Sequence, residues 1–290
     1  MTLILTLIAT NKIVQVSDRR LTVNGKPCDS NANKLVCVGC GDARFSVGYT
    51  GVAEIDGQGT DYWLVDQIES IFGSGHQDVL TIYKELASKA TKAVSRLRDK
   101  RGYEVPWRYR GLTLILTGYR VISGTVVPFL AYVSNIDLAA ASPFDVQRTF
   151  FTKGWIYDPR PSADQQMLYI NGARGAFTAG DKHANTILGR YWETTRLLRR
   201  IDLGYRPESR VSADRMAWLV RQATKHPGCG HLIGPDCLSV VIHPDNPGML
   251  SHYHPEKATT VEYGPHFVTP MFSTWDVEVD LDPQPLDRRP

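Results

Sequence analysis

Residues 3–9 read LILTLIA, an unbroken apolar run at the start of the chain. A short run of this kind suits a strand buried on both faces, so other elements must cover it above and below. Asn11 and Lys12 then supply a tight turn, and IVQVS alternates, with Ile13, Gln15 and Ser17 on one face and Val14 and Val16 on the other. Together the two runs predict a β-hairpin. The same ten residues, MTLILTLIAT, share the apolar character of a secretory signal. No Lys or Arg precedes the run, no small-x-small cleavage site closes it, and a second strand pattern follows directly. The strand reading is the one adopted.

A second hairpin is expected from KLVCVG and RFSVGYTG, joined by the turn at Gly39–Asp42. Two helices follow. YWLVDQIESIF places Leu64, Val65, Ile68, Ile71 and Phe72 on one stripe. The stretch from Asp78, a capping residue, to Arg101 repeats apolar positions at helical period and carries a basic outer face. Strands are expected at GLTLILTGYR, VVPFLAYVS, VQRTFF and MLYI. Helices come next, from Asp181 to about Arg200 and from Ser212 to about Lys225, before CLSVVIH and ATTVEYG return to strand. Strands and helices arrive in blocks, which disfavours a βαβ parallel sheet. The expected class is α+β: two antiparallel sheets with paired helices on their outer faces, a four-layer αββα sandwich. The layers interleave along the sequence, so residues 1–272 are read as one domain. Residues 273–290 form an acidic, then Pro-rich tail whose end is expected to be disordered.

Composition narrows the function. The 290 residues are 42% hydrophobic and 22% charged, with a net charge of +3, and no run stacks five or six like charges. Neither nucleic acid nor a membrane surface is an expected partner. Five cysteines at irregular spacing do not resemble a disulfide framework and suit the reducing cytoplasm. No apolar stretch is long enough to span a bilayer.

Three residues stand at even steps: Thr2, Asp18 and Lys34. Thr2 becomes the first residue once Met1 is removed, and removal of Met1 alone is the expected maturation step. Asp18 closes the second predicted strand, in SDRRLTVNG, and Lys34 opens the third, in NANKLVCV. In two adjacent hairpins these strand ends meet at the mouth of the first strand. Arg20 and Thr22 follow Asp18, Gly25 comes three residues later, and Gly48 lies in FSVGYTG.

This set, in register from a Thr at position 2, resembles the proteasome-type N-terminal nucleophile hydrolases. In that family a mature N-terminal Thr precedes D-x-R-x-T-x-G, a Lys at the third strand and a Gly-rich oxyanion loop. The likeness is specific over about the first fifth of the chain. It implies a cytoplasmic threonine peptidase or amidohydrolase that needs no cofactor or metal and acts on a peptide or amide bond. It also implies assembly into rings or other homo-oligomers, with an unfoldase partner left open.

The resemblance assigns roles that make physical sense. The Thr2 hydroxyl is the nucleophile, and its free α-amine, with an ordinary pKa of about 7.7–8, is the base. The Lys34 ammonium lowers that pKa, Asp18 pairs with Lys34, and the Gly48 N–H serves as oxyanion donor. Arg20 and Thr22 fall to substrate binding. The family also carries a Ser-Gly pair before the third helix and an Asp-x-x-Ser near the end of the fourth. Here FTAGDKHA offers Ala179 or Thr178, KHPGCGHLIGPD offers no matching Asp, and Asp181 and Asp236 are the nearby substitutes. Two other readings stay open: an amidase on small amides, and a catalytically silent structural or interaction protein on the same fold. Extra segments near 102–110, 136–165 and 243–290 make the chain longer than a typical subunit of the family.

Other residues carry weaker patterns. Cys37, Cys40, Cys229 and a His from 226 or 231 have half the spacing of a zinc site, but Cys37 and Cys40 are expected at the end of the third strand away from Lys34, and they are read as small buried residues in a strand and turn. His252 and His254 form a metal-like pair in what reads as a polar loop. GVAEIDGQGTD is read as the loop leading into the first helix, not as a phosphate-binding motif.

Overall fold

Every residue of the first two strands is buried: β1 (Leu3–Ala9) and β2 (Lys12–Asp18). They pair antiparallel, with Leu7 opposite Val14 and Ile4 opposite Ser17. The computed structural model describes residues 2–9, 11–23, 26–99, 101–136, 146–156, 166–172, 185–193, 208–228, 230–246, 248–256 and 264–269. Gly25, Cys229, Thr178, Ala179, Asp181, the tail 273–290 and most of ATTVEYG lie outside them.

The small hairpin β3 (Leu21–Val23) and β4 (Lys26–Asp29) comes next, then β5 (Leu35–Gly39) and β6 (Ala43–Gly51). The stretch read as a plain loop holds a two-residue-strand hairpin, β7 (Glu54–Ile55) and β8 (Gln58–Gly59). Asp56 and Gly57 between them have φ of 53° and 82°. Two positive φ values in a two-residue connection mark a type I′ turn, and Asp-Gly suits it. Helices α1 (Thr60–Gly73) and α2 (Val79–Ser95) follow. The Asp78 side chain accepts the Thr81 N–H at 2.9 Å, as its capping position predicts.

The long strands β9 (Leu112–Ile122), β10 (Thr125–Ile136) and β11 (Val146–Ile156) form a meander, and β12 (Met167–Gly172) follows. Helix α3 covers 185–193, inside the expected 181–200 span, and α4 (Glu208–Ala223) starts earlier than expected. Then come β13 (Cys237–Ile242), β14 (Met249–His254) and β15 (His266–Val268).

The strands form two main sheets, ordered β12-β1-β2-β13-β14 and β11-β10-β9-β6-β5-β15. All pairs in them are antiparallel except β15, which runs parallel to β5 with His266 beside Val36. The fold is mixed α+β. Three apolar clusters hold it together. Leu3, Leu5, Leu7, Val14 and Val16 pack with Ile187 of α3 and with Met216 and Val220 of α4. Phe45, Val47 and Leu114 pack with Trp63, Leu64 and Ile68 of α1 and with Ile82 and Leu86 of α2. The third cluster joins Ile4, Ile8, Ile13 and Leu238 of one sheet to Leu35, Ile115 and Leu130 of the other. Strand alternation therefore sends successive residues of β1 into two different clusters, which is why the run has no polar face. Burying one such Leu or Ile is worth roughly 1.5–3 kcal/mol, so both faces anchor the strand that begins after Thr2. Among the described residues, no helix is long and apolar enough to cross a membrane.

Candidate active site

Asp18 is the last residue of β2, directly opposite Cys237 of β13. Its carboxylate is fully buried and meets four donors. The Leu3 N–H donates to Oδ1 at 2.8 Å. Oδ2 accepts from Arg20 N at 3.0 Å, Gly234 N at 3.0 Å and Lys34 Nζ at 3.1 Å. Lys34 is also fully buried, and its ammonium donates to the Arg20 carbonyl as well. A buried charge is tolerable only when its lone pairs or protons are matched, and both partners here are matched by main chain as well as by each other. The start of β1, the end of β2, the entry to β5 and the segment before β13 converge on one carboxylate.

The bond from Leu3 fixes the peptide that joins it to Thr2, and Thr2 itself is 3% exposed. Burial pushes the Lys34 ammonium below the usual lysine range, although Asp18 pulls it back up. Thus Asp18, Lys34 and the residue after Thr2 come together as their strand-end positions suggested.

Arg20 serves the pair with its main chain: the N–H to Asp18, the carbonyl to Lys34. Its side chain turns away and donates to the His231 carbonyl at 3.3 Å. Thr22 is half-buried on β3, opposite Pro27.

Gly48 departs from its expected role. It lies inside β6, opposite Leu35 on one side and Ile115 on the other. The neighbouring Tyr49 N–H donates to the Lys34 carbonyl at 3.3 Å. Antiparallel alternation therefore turns the Gly48 N–H to the opposite edge, into the ladder with β9, where it is spent on sheet pairing. A Cβ on Gly48 would lie 3.0 Å from Ile4 Cδ1 and 3.2 Å from Leu35 Cδ2, so the glycine permits close packing between the sheets. Gly51 is the last residue of β6. The next N–H, that of Val52, donates to the Gly111 carbonyl at 2.9 Å, so strand alternation puts the Gly51 N–H on the same edge as that of Tyr49. Gly51 has φ of +110°, and a Cβ there would fall 2.0 Å from the Gly111 carbonyl oxygen, so only glycine fits.

No protein-family model matches the chain, and no curated protein matches it.

Two contributors to the Asp18 cage have no single-residue signature. The Leu3 N–H is main chain, and Gly234 is 216 residues from the carboxylate it binds. A Cβ on Gly234 would sit 2.8 Å from Arg20 Cβ, a close approach that a glycine next to a proline in HLIGPD permits. Asp236 does not join the pair. Its carbonyl accepts the Arg19 N–H at 3.0 Å and its carboxylate accepts the Glu256 N–H at 2.7 Å.

Cys37 belongs to the cluster between the two sheets and Cys40 to the cluster under α1 and α2, so adjacent apolar clusters separate the two thiols. Burial pushes Cys37 up and Cys40 to about 12. The His226 ring accepts the Gly228 N–H at 3.1 Å. Among the described residues no group of three or more His, Cys, Asp or Glu side chains is placed to hold a metal ion.

His252 and His254 lie on strand β14 rather than in a loop, because Met249–His254 pairs residue for residue with β13. His254 sits between two partners: Nε2 is 2.8 Å from Ser239 Oγ, and Nδ1 is 3.1 Å from Asp214 Oδ1 on α4. This Ser-His-Asp order is that of a nucleophile relay, yet Ser239 is 0% exposed beneath α4. Its geometry supports a structural link between helix and sheet.

Proposed function

We propose that the chain is a threonine-type N-terminal nucleophile hydrolase that cleaves a peptide or other amide bond once Met1 is removed. The observation that carries this reading is the Asp18 cage, which ties the Leu3 N–H and the Lys34 ammonium to one buried carboxylate. The two sheets, with helices packed on the outward cluster of each, fit the four-layer αββα framework of such enzymes.

The proposed cycle begins with the freed Thr2 amine. Lys34 nearby holds it neutral near pH 7, so that it accepts the hydroxyl proton as Oγ attacks the substrate carbonyl. Asp18 keeps Lys34 in place. The Gly51 N–H, in place of that of Gly48, faces the developing oxyanion; a donor of this kind is typically worth about 2.7–4 kcal/mol of barrier. The amine returns its proton to the leaving nitrogen, an ester remains on Thr2, and water hydrolyses it. Four described cysteines are free thiols, in keeping with a cytoplasmic site of action. Homo-oligomeric assembly is part of the same proposal, and light scattering on the purified protein tests it.

A second reading has its own support. The Asp236 carboxylate is occupied by Glu256 rather than by the Lys34 pair, which favours a catalytically silent member of the fold. Intact mass of untagged protein, followed by a Thr-directed covalent inhibitor, separates the two. Loss of Met1 and labelling that vanishes in Thr2→Ala support the hydrolase. Retention of Met1 on essentially every molecule removes the base and leaves the silent reading.

A further inference from the structure

We propose that Arg221 of α4 is a positioning residue that sets the Asp18–Lys34 pair through the segment that precedes β13. Its catalytic consequence rests on the hydrolase reading above; its effect on Lys34 does not.

The geometry runs through one loop. The Arg221 guanidinium donates to three carbonyls: Nε to Pro235 at 3.3 Å, and Nη2 to His254 at 3.0 Å and to Pro255 at 2.9 Å. Pro235 directly follows Gly234, whose N–H binds Asp18 Oδ2. The Gly234 Cα packs so closely on Arg20 that a Cβ would stand 3.0 Å from the Arg20 nitrogen. Arg20 in turn gives its N–H to Asp18 and its carbonyl to Lys34. A shift of the 234–236 segment therefore moves two of the four donors on Asp18 and one acceptor of Lys34 together.

A second contact fixes the other end of the clamp. Asp214 and Arg221 are seven residues apart on α4, two turns along one face. Asp214 holds the His254 ring and Arg221 holds the His254 carbonyl. His254 and Asp18 both stand opposite Cys237, on either side of it, so the gripped residue lies in the same cross-strand row as the carboxylate. The planar fork of an arginine reaches several acceptors at once, which a lysine does not. The charged groups that act on Lys34 are Asp18 and, more weakly, Asp29; Cys237 also faces it, as a thiol that burial pushes up.

The test uses Arg221→Met and Arg221→Lys in the full-length protein with Met1 removed. Two readouts are taken: the NMR titration of the Lys34 ε-carbon, and the pH profile of kcat and KM on an amide substrate. With the clamp gone, water reaches the pair and less desolvation bears on Lys34, so its titration moves upward toward the ordinary lysine value of about 10.4. Arg221→Met is expected to lower kcat by roughly tenfold or more at pH 7, with KM nearly unchanged. Arg221→Lys restores one of the three contacts and part of both effects. A folded Arg221→Met protein whose Lys34 titrates as in the unaltered protein overturns the inference. So does a loss of kcat that is uniform at every pH and is matched by Arg221→Lys, because a purely structural role predicts that pattern. If the unaltered protein hydrolyses nothing, the hydrolase reading fails, while the Lys34 titration still decides the role of Arg221. Should Arg221→Met not fold, the titration in Arg221→Lys decides it.

Discussion

Lys34 Nζ lies 3.1 Å from Asp18 Oδ2 with both side chains fully buried, and the two partners are not equally replaceable. Asp18 keeps three main-chain donors if Lys34 is lost. Among the described residues, Lys34 keeps only the Arg20 carbonyl if Asp18 is lost. Breaking a buried pair and stranding one charge typically costs about 3–5 kcal/mol. Asp18→Ala is therefore expected to lose about that much, and Lys34→Met distinctly less. Urea unfolding of both variants measures the difference. Equal losses would mean that the main-chain donors contribute little to holding the carboxylate.

Gly48 and Gly51 are expected to separate cleanly under substitution to alanine. At Gly48 the three atoms nearest the new methyl are side-chain atoms, of Ile4, Leu35 and Gln15, at 3.0 to 3.4 Å. Small overpacking of this kind costs about 1–3 kcal/mol and leaves the ladder intact. At Gly51 the methyl meets the Gly111 carbonyl at 2.0 Å and the backbone has φ of +110°. The main chain itself must shift there. Thermal melts should rank Gly51→Ala well below Gly48→Ala, and hydrolysis, once a substrate is found, should follow the same order.

The cap on α2 supplies a local check. Asp78 accepts the Thr81 N–H at 2.9 Å, while the Val79 N–H of the same first turn is held separately by Asp42 Oδ1 at 2.8 Å. Asp78→Ala is expected to cost about 1 kcal/mol, within the usual 0.5–2 kcal/mol range for helix N-caps. Chemical unfolding that shows no loss would shift the weight of this helix entirely onto Ile82, Leu86 and the other residues that it buries.

How much of this was legible in the sequence depends on how local each cause is. The apolar run of β1, the alternation of β2 and the Asp78 cap are set within a few residues, and the structure has them where the pattern placed them. The approach of Asp18 and Lys34 follows from two strand ends, which sequence can also indicate. Register is different. Whether Gly48 or Gly51 points its N–H past β5 depends on which pairs exchange hydrogen bonds, and a one-residue step inverts the answer. β15 is three residues long and pairs in parallel with a strand about 230 positions earlier, so no local pattern announces it. Likewise His252 and His254 look polar because β14 is an edge strand whose inner face is satisfied by Ser239 and Asp214 rather than by apolar packing. Gly234 and Arg221 entered the site from the far half of the chain, where their only signature was a glycine beside a proline and an arginine late in a helix.

Alkaline pH is expected to weaken the fold, with a sign that the buried groups determine. Burial pushes the Cys37 and Cys237 thiols up, Cys40 to about 12, and the Tyr49 phenol up as well. The unfolded chain releases these protons near about 8.5 for Cys and about 10 for Tyr, while the folded chain keeps them. The folded state then binds more protons than the unfolded one, so stability falls as pH rises above about 8.5. Lys34 acts in the opposite sense. Its folded value lies below the unfolded value of about 10.4, so between the two the unfolded chain holds the extra proton and stability rises with pH. Three thiols outweigh one lysine, and the net slope above pH 9 should be negative, on the order of 1–3 kcal/mol per pH unit. Urea midpoints measured from pH 7.5 to pH 10 under reducing conditions test this directly. Lys34→Met removes the opposing contribution, so its midpoint should fall more steeply over the same range. A midpoint that stays flat in the unaltered protein would show that the thiols ionise in place, and that the apolar clusters holding Cys37 and Cys40 admit water.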